Sequence, residues 1–499
     1  MPTSESPTRR TFLTSAAAVT ATTLLPRTLL AQTESQLAAD PERPQFHLLP
    51  AHNWMNDPNG PIYFNGRYHM FFQYNPLAAT WGDMSWNHAV SPDMLHWTHL
   101  PVAMTPTPGS PDAYGCFSGS ALQVGKRVYA VYTGTVKSTL DKATIHADGV
   151  QESQCLAWSD DPRLITWTKD PQPIIPLPPF PVTGFRDPSA WKQGGAYYMT
   201  VGSGETKIGG CVLLYRSHDL HSWDYLHKLT EAPWTPPPSG EPTSNPCDDG
   251  EMWECPDFFP LPGSSLASHC LIYSTRGKVY WQSGTLDHAT MLFHPLKTGL
   301  LDLDAFYAPK TQLDAQGNRI LWGWIPERRH EAAMRTAGWS GMMSLPRVLT
   351  LTPDGNLRQE FLPATARLRR PSNQLLEQLS ARSSATIHEA TGEFLCTGAT
   401  QLILTAGTTN LLTVTYSPVT HTFTTDSHTI PLQPTDSPTL HAFIDGSVIE
   451  LLIGNRIGFT KRFYYPEKIA PNILIRADAP FQAWPIKPIS PNRLTTEPS

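Results

Sequence analysis

Along the chain, apolar and aromatic residues gather in short runs separated by glycine-bearing polar turns, and five stretches share one shape. They are GPIYFNGRYHMFFQY (60–74), SALQVGKRVYAVYTG (120–134), PSAWKQGGAYYMTVG (188–202), PDFFPLPGSSLASHCLIYS (256–274) and TQLDAQGNRILWGWI (311–325). Each sets two alternating or fully apolar runs about a turn containing Gly, which predicts a β-hairpin. A second element recurs between them as SPDMLHWTHL, SDDPRLITWTKD and SHDLHSWDYL, with a degenerate fourth in TLDHATMLFHPL. In each, a polar turn precedes an aromatic residue, as expected where an outer strand begins. Hairpins with outer strands, repeating at intervals of roughly fifty to seventy residues, predict the blades of a five-bladed β-propeller. A β-sandwich of similar length does not predict the repeat.

Composition sharpens this all-β reading. The 49 prolines are spread too densely for long helices, since each interior Pro costs about 3 kcal/mol. The 499 residues allow two or three domains and a large core. Charged residues make up only 16% and the net charge is −6. The clustered Lys and Arg that a phosphate backbone requires are absent, which excludes a nucleic-acid partner. Few charges with 15 tryptophans suit a protein whose loops stack on uncharged ligands such as sugars.

At the N-terminus, Arg9 and Arg10 precede Phe12, Leu13 and a mildly apolar run to Leu25. That run is too short and too rich in Thr and Ala to span a bilayer, so no transmembrane segment is expected. The pattern is that of a twin-arginine export signal over residues 1–31, processed after Ala31, which places the mature protein in the periplasm or outside the cell. The seven cysteines are scattered, with no spacing suited to zinc. No structural metal and no cofactor are expected. A Cys247–Cys255 bridge is conceivable, but buried thiols are the simpler expectation.

The repeat gives the acids meaning. Asp57 lies just before the first hairpin, Asp187 before the third and Glu254 before the fourth, while Ser118 and Tyr307 precede the second and fifth. The same position in every blade falls at the same end of the central axis, so these residues should converge on one funnel. Three carboxylates in an aromatic-lined funnel suit glycosidic bond cleavage by a nucleophile and a protonated general acid. Arg186 beside Asp187 would keep nearby carboxylates ionised. Glu254, flanked by Met252, Trp253, Cys255 and Pro256, sits in apolar sequence surroundings that would keep it protonated. Glu254 is then the acid, with the nucleophile either Asp57 or Asp187. A calcium or magnesium site would rather gather its acids in one loop.

The motifs WMNDPNG, FFQYNP, GCFSGSA, FRDP, WECPDFF, FYAPKT and GWSGMMSLPRVLTL resemble, in order, those of glycoside hydrolase family 32, the invertases and fructanases. The resemblance runs from Trp54 to about Leu351 and implies a propeller over 45–351, a linker over 352–370 and a C-terminal β-sandwich over 371–492. Within LHAFIDGSVIELLIGN, Asp445, Ser447 and Glu450 are similar to a strand of that second module, as surface or interface positions rather than catalytic groups. The resemblance implies Asp57 as the nucleophile on a β-D-fructofuranosyl unit, Glu254 as acid and base, and Asp187, oriented by Arg186, as the transition-state stabiliser. Asn56, Gln73, Trp81, Phe117, Ser118 and Tyr307 would line the fructose pocket. Sucrose, inulin and levan are the implied substrates, with fructosyl transfer to a sugar, or fructan binding without catalysis, as alternatives.

Overall fold

A computed structural model describes residues 32–145, 148–240, 243, 245–370, 383–425, 427–465 and 469–490. The export signal expected over 1–31 lies outside the described residues. Five antiparallel sheets follow one another along the chain as blades I to V. Their innermost strands are Asn53–Phe64, Gly115–Val124, Phe185–Gln193, Glu254–Pro260 and Tyr307–Leu313. Each pairs with the next strand of its own blade through the hairpin that the sequence pattern predicts. The recurring polar turns lead into the outer strands Thr98–Met104, Thr168–Lys169, Trp223–Glu231 and Phe293–Asp302.

The ring is closed by Trp339–Ser340, which pairs in parallel with Asn53 and Trp54 at the start of blade I. Between blades lie separate apolar cores: Phe71 and Trp86 with Val128 and Tyr132 (I–II), Val131 and Leu156 with Phe185 and Met199 (II–III), and Val212 and Leu214 with Trp253 and Leu271 (III–IV). Ile272 and Phe259 meet Leu321 and Leu349 (IV–V), and Trp322 meets Met70 and Phe72 (V–I). A blade thus buries both faces, which explains why its central strands read as nearly continuous apolar runs.

The segment expected as a linker, 352–370, is partly blade. Leu357–Phe361 pairs with Arg347–Leu351 as the outer strand of blade V, and a 3-10 turn covers Pro363–Leu368. The LRQEF segment becomes a strand through its pairing with Arg347–Leu351. Two further sheets form the sandwich, one built on Thr391–Thr397, Thr439–Asp445, Val448–Ile453 and Ile457–Arg462, the other on Gln401–Ala406, Thr409–Ser417 and Ile473–Ala477. A parallel bridge between Asp302 and Gly458 joins blade IV to the first of these sheets.

Asp445 and Glu450 are interface residues and not surface ones: both are fully buried. Asp445 accepts from the backbone N–H groups of Gln45, Phe46 and His47, and both ring nitrogens of His47 face carboxylates, Asp445 at 2.8 Å and Glu450 at 2.9 Å. Arg347 then pairs with Glu450 at 2.6 Å and with Asp302 at 3.2 Å. All seven cysteines are buried and free, so no Cys247–Cys255 bridge forms. Among the described residues no helix is long and apolar enough to cross a membrane.

Candidate active site

The five innermost strands carry the same irregularity at the same place. In each, two residues oppose one on the neighbouring strand: Asn56 and Asp57 against Gln73, Phe117 and Ser118 against Thr133, Asp187 and Pro188 against Val201, Cys255 and Pro256 against Tyr273, Ala308 and Pro309 against Gly323. These are β-bulges, which bend a strand and re-aim the side chains beside it. Prolines suit the second bulge position in blades III to V because no ladder N–H is needed there. Asp187, Cys255 and Ala308 take the first position with φ of +64°, +51° and +50°. That left-handed conformation is strained for residues other than Gly and occurs most often where function requires it.

Superposing the bulges by register refines the sequence reading. Asp57 and Ser118 occupy the second bulge position, Asp187 the first, and Glu254 and Tyr307 the residue before it. The five are neighbours around the axis without being strict equivalents.

Asp57, fully buried, accepts from Ser118 Oγ at 2.5 Å on Oδ2 and from Asn56 Nδ2 at 3.0 Å on Oδ1. Asn56 is itself fixed by Trp54 Nε1 at 2.7 Å. The Asp187 backbone N–H donates to Thr133 Oγ1 at 2.9 Å, and its Oδ2 accepts from the Cys255 N–H at 3.0 Å. The Cys255 thiol lies between the two aspartates, 3.6 Å from Asp57 Oδ2 and 3.3 Å from Asp187 Oδ2. Oxygens of Asp57 and Asp187 and the Cys255 sulfur are all within 4.8 Å of one another. Two carboxylates and one thiol from three blades form a donor set unlike the all-oxygen loops that hold calcium.

Glu254 has a different shell. Its Oε1 takes both Nε and Nη2 of Arg186, at 2.9 and 2.8 Å, and its Oε2 accepts from the Tyr307 hydroxyl at 2.8 Å. This corrects two sequence expectations. Arg186, expected beside Asp187, pairs with Glu254 and with Glu152, 3.0 Å away, while the Asp187 charge acts on it as well. The flanking Trp253 turns elsewhere: it stacks on Tyr273 with ring centroids 3.9 Å apart, inside the core between blades III and IV. Strand neighbours point to opposite faces, so sequence flanks are poor guides to a side chain's surroundings. Burial alone would lower the Arg186 pKa, but Glu152 and Glu254 raise it well above its ordinary value. Burial, and then the Glu254 charge, push the Tyr307 phenol up, so that it keeps its proton.

Gln73 is buried opposite the first bulge, its amide N–H donating to the Cys116 carbonyl at 2.9 Å, which ties blade I to blade II beneath Asp57. Trp81 meets Phe117 edge-on with centroids 5.9 Å apart, in a cluster that also holds Trp54, Trp324 and Tyr307. Sequence reasoning missed Glu152, a fully buried acid in VQESQCLA. Nothing local marks it, since its partner Arg186 is thirty-four residues away. Cys255, a flank of Glu254 and a conceivable bridge partner of Cys247 in the sequence, takes its place beside the two aspartates through the fourth bulge, which only strand register reveals.

The profile described as "Glycosyl hydrolases family 32 N-terminal domain" matches residues 47–360. A sucrose-6-phosphate hydrolase of Escherichia coli is 33% identical over 460 residues, 85% of this chain and 89% of that protein. A raffinose invertase of Escherichia coli is 37% identical over 345 residues, 66% of this chain and 67% of that protein. Among solved structures, a β-fructofuranosidase of Bombyx mori aligns with a TM-score of 0.75 at 26% identity, covering 91% of this chain and 96% of its own. A fructan 1-exohydrolase of Cichorium intybus aligns at 0.74 and 27% identity, covering 90% and 98%.

Proposed function

Because the chain belongs to glycoside hydrolase family 32 and is a fructosyl-releasing glycoside hydrolase, we propose that it removes terminal β-D-fructofuranosyl units by double displacement at Asp57, Asp187 and Glu254. The observation that carries this is the division of the three acids into two environments. Asp57 and Asp187 share one corner, while Glu254 stands apart on Arg186 and Tyr307.

In the first step an Asp57 oxygen attacks C2 of the fructosyl unit as the C2–O bond to the leaving group breaks. Glu254 gives its proton to the departing oxygen. Ser118 and Asn56 hold the Asp57 carboxylate in one rotamer, which is the positioning that covalent catalysis requires. Asp187 accepts hydrogen bonds from the sugar hydroxyls, and its negative charge stabilises the oxocarbenium-like transition state. In the second step Glu254 takes a proton from water, and the resulting hydroxide oxygen attacks C2 and frees Asp57. The carboxylate left on Glu254 between the steps is met by Arg186 and by the Tyr307 hydroxyl.

Sucrose and fructans of the inulin or levan type are the proposed substrates, after the invertase and exohydrolase relatives. Export by the twin-arginine route is proposed on the Arg9–Arg10 pattern. The test is the initial rate of fructose release on sucrose, inulin, levan and sucrose 6-phosphate, with the other products followed in the same runs. Fructose released with net retention from at least one of the unphosphorylated substrates is expected. Activity confined to sucrose 6-phosphate would overturn the substrate proposal, and no fructose from any would overturn the catalytic one.

A further inference from the structure

Arg186 serves two carboxylates with one charge. Its Nε and Nη2 go to Glu254 Oε1, and its Nη1 goes to Glu152 Oε1 at 3.0 Å. Glu152 lies in the third strand of blade II, Val150–Ser159, and is fully buried. Its other oxygen accepts from the Phe185 N–H at 2.7 Å and from Thr144 Oγ1 at 2.9 Å. The backbone N–H of Phe185 can only donate, so protonating Glu152 there would set donor against donor. The Tyr307 hydroxyl on Glu254 can turn and accept instead. The one guanidinium cannot fully neutralise both acids, and the proton that the cluster takes up therefore belongs on Glu254. Other titratable groups near this cluster include the Cys247 thiol, 3.7 Å from Arg186 Nη2 and hydrogen-bonded to Glu254, the Asp187 charge acting on Arg186 and the Asp248 charge acting on Cys247.

On the reading of Glu254 as the acid, we propose that Glu152 is a positioning residue that engages one arm of Arg186 and so keeps Glu254 able to carry the proton it must donate. An arginine given wholly to Glu254 would hold it as the carboxylate, the wrong form for protonating a leaving group. Glu152 touches no reacting atom; it acts through Arg186.

The experiment is kcat/KM against pH for the full chain, Glu152→Gln and Glu152→Asp, on sucrose and on a nitrophenyl β-D-fructofuranoside, whose leaving group needs little protonation. For Glu152→Gln the basic limb on sucrose is expected to move to lower pH by about one unit, the effect of removing one nearby charge. Above that limb, sucrose should lose about tenfold more rate than the nitrophenyl substrate. Glu152→Asp retains the charge but draws it back by one methylene, so it should shift the limb the same way by less; it decides the matter if the Gln variant fails to fold. An unmoved limb with equal losses on both substrates overturns the proposal and leaves Glu152 a packing residue. Glu254→Gln is run alongside: if it loses equal rate on both substrates, the assignment of Glu254 as acid has failed, independently of Glu152.

Discussion

At the residue scale, chemistry here is set by what each carboxylate accepts. Asp57 takes one hydroxyl and one amide N–H and is fixed from both sides. A carboxylate offers about four lone-pair sites, so it can accept these two bonds and the Cys255 thiol contact and still offer an oxygen for attack. Ser118→Ala removes the 2.5 Å contact and frees the rotamer; kcat is expected to fall about tenfold to a hundredfold with little change in KM, measured on sucrose. Asp57→Asn removes the nucleophile itself and should cost at least about a thousandfold in kcat, with no burst of the leaving product in rapid-mixing experiments. A Ser118→Ala variant that loses affinity but not turnover would show that the serine binds sugar and does not position Asp57.

At the element scale, the bulge is the device that makes a propeller strand into part of a site. Just past the bulge of blade II, a Cβ on Gly119 would lie 2.0 Å from the Val131 carbonyl oxygen, a backbone atom of the paired strand. Gly119→Ala therefore has to displace the strand that carries Ser118. It is expected to lower unfolding free energy by about 1–3 kcal/mol and to reduce kcat as well. Gly195→Ala, in the hairpin turn of blade III with nothing within 4 Å of the added Cβ, should stay within about 0.5 kcal/mol of the parent. Denaturant midpoints of the two variants check the pair, and equal midpoints would remove the close-approach argument.

At the scale of the whole molecule, the propeller and sandwich are joined through a buried ionic chain from His47 to Asp445 and Glu450, then to Arg347 and Asp302. Burial would lower the His47 pKa, but hydrogen bonds and charge from Asp445 and Glu450 raise it from 6.5 to about 9. A raised pKa contributes stability that is fully present below the unfolded value and is lost as pH rises through the folded one. The contribution is about 3 kcal/mol, lost between pH 6.5 and about 9. Glu450 works in the opposite sense: burial opposes its charge, but Arg347 and His47 lower its pKa below 4.5. Its contribution is held above that value and lost on acidification. His47→Gln should flatten the alkaline fall in the melting temperature, and an unchanged slope from pH 6.5 to 9 would exclude His47 as its source.

The sequence by itself determined the repeat, and with it the five hairpins, the aromatic starts of the outer strands and the place of Asp57, Asp187 and Glu254 near one end of the blades. It could do so because apolar alternation, turn residues and proline act within a few residues of where they stand. It placed Arg186 beside Asp187 and Glu254 among its own flanks; the structure adds Glu152 and Glu254 as partners of Arg186 and turns Trp253 into the core between blades III and IV. Only tertiary structure brought Glu152 and Arg186 together, placed the Cys255 thiol between two aspartates, made Leu357–Phe361 a blade strand and buried Asp445 and Glu450 against His47. Each of these contacts spans blades or domains, and its energy depends on distances that no local pattern encodes.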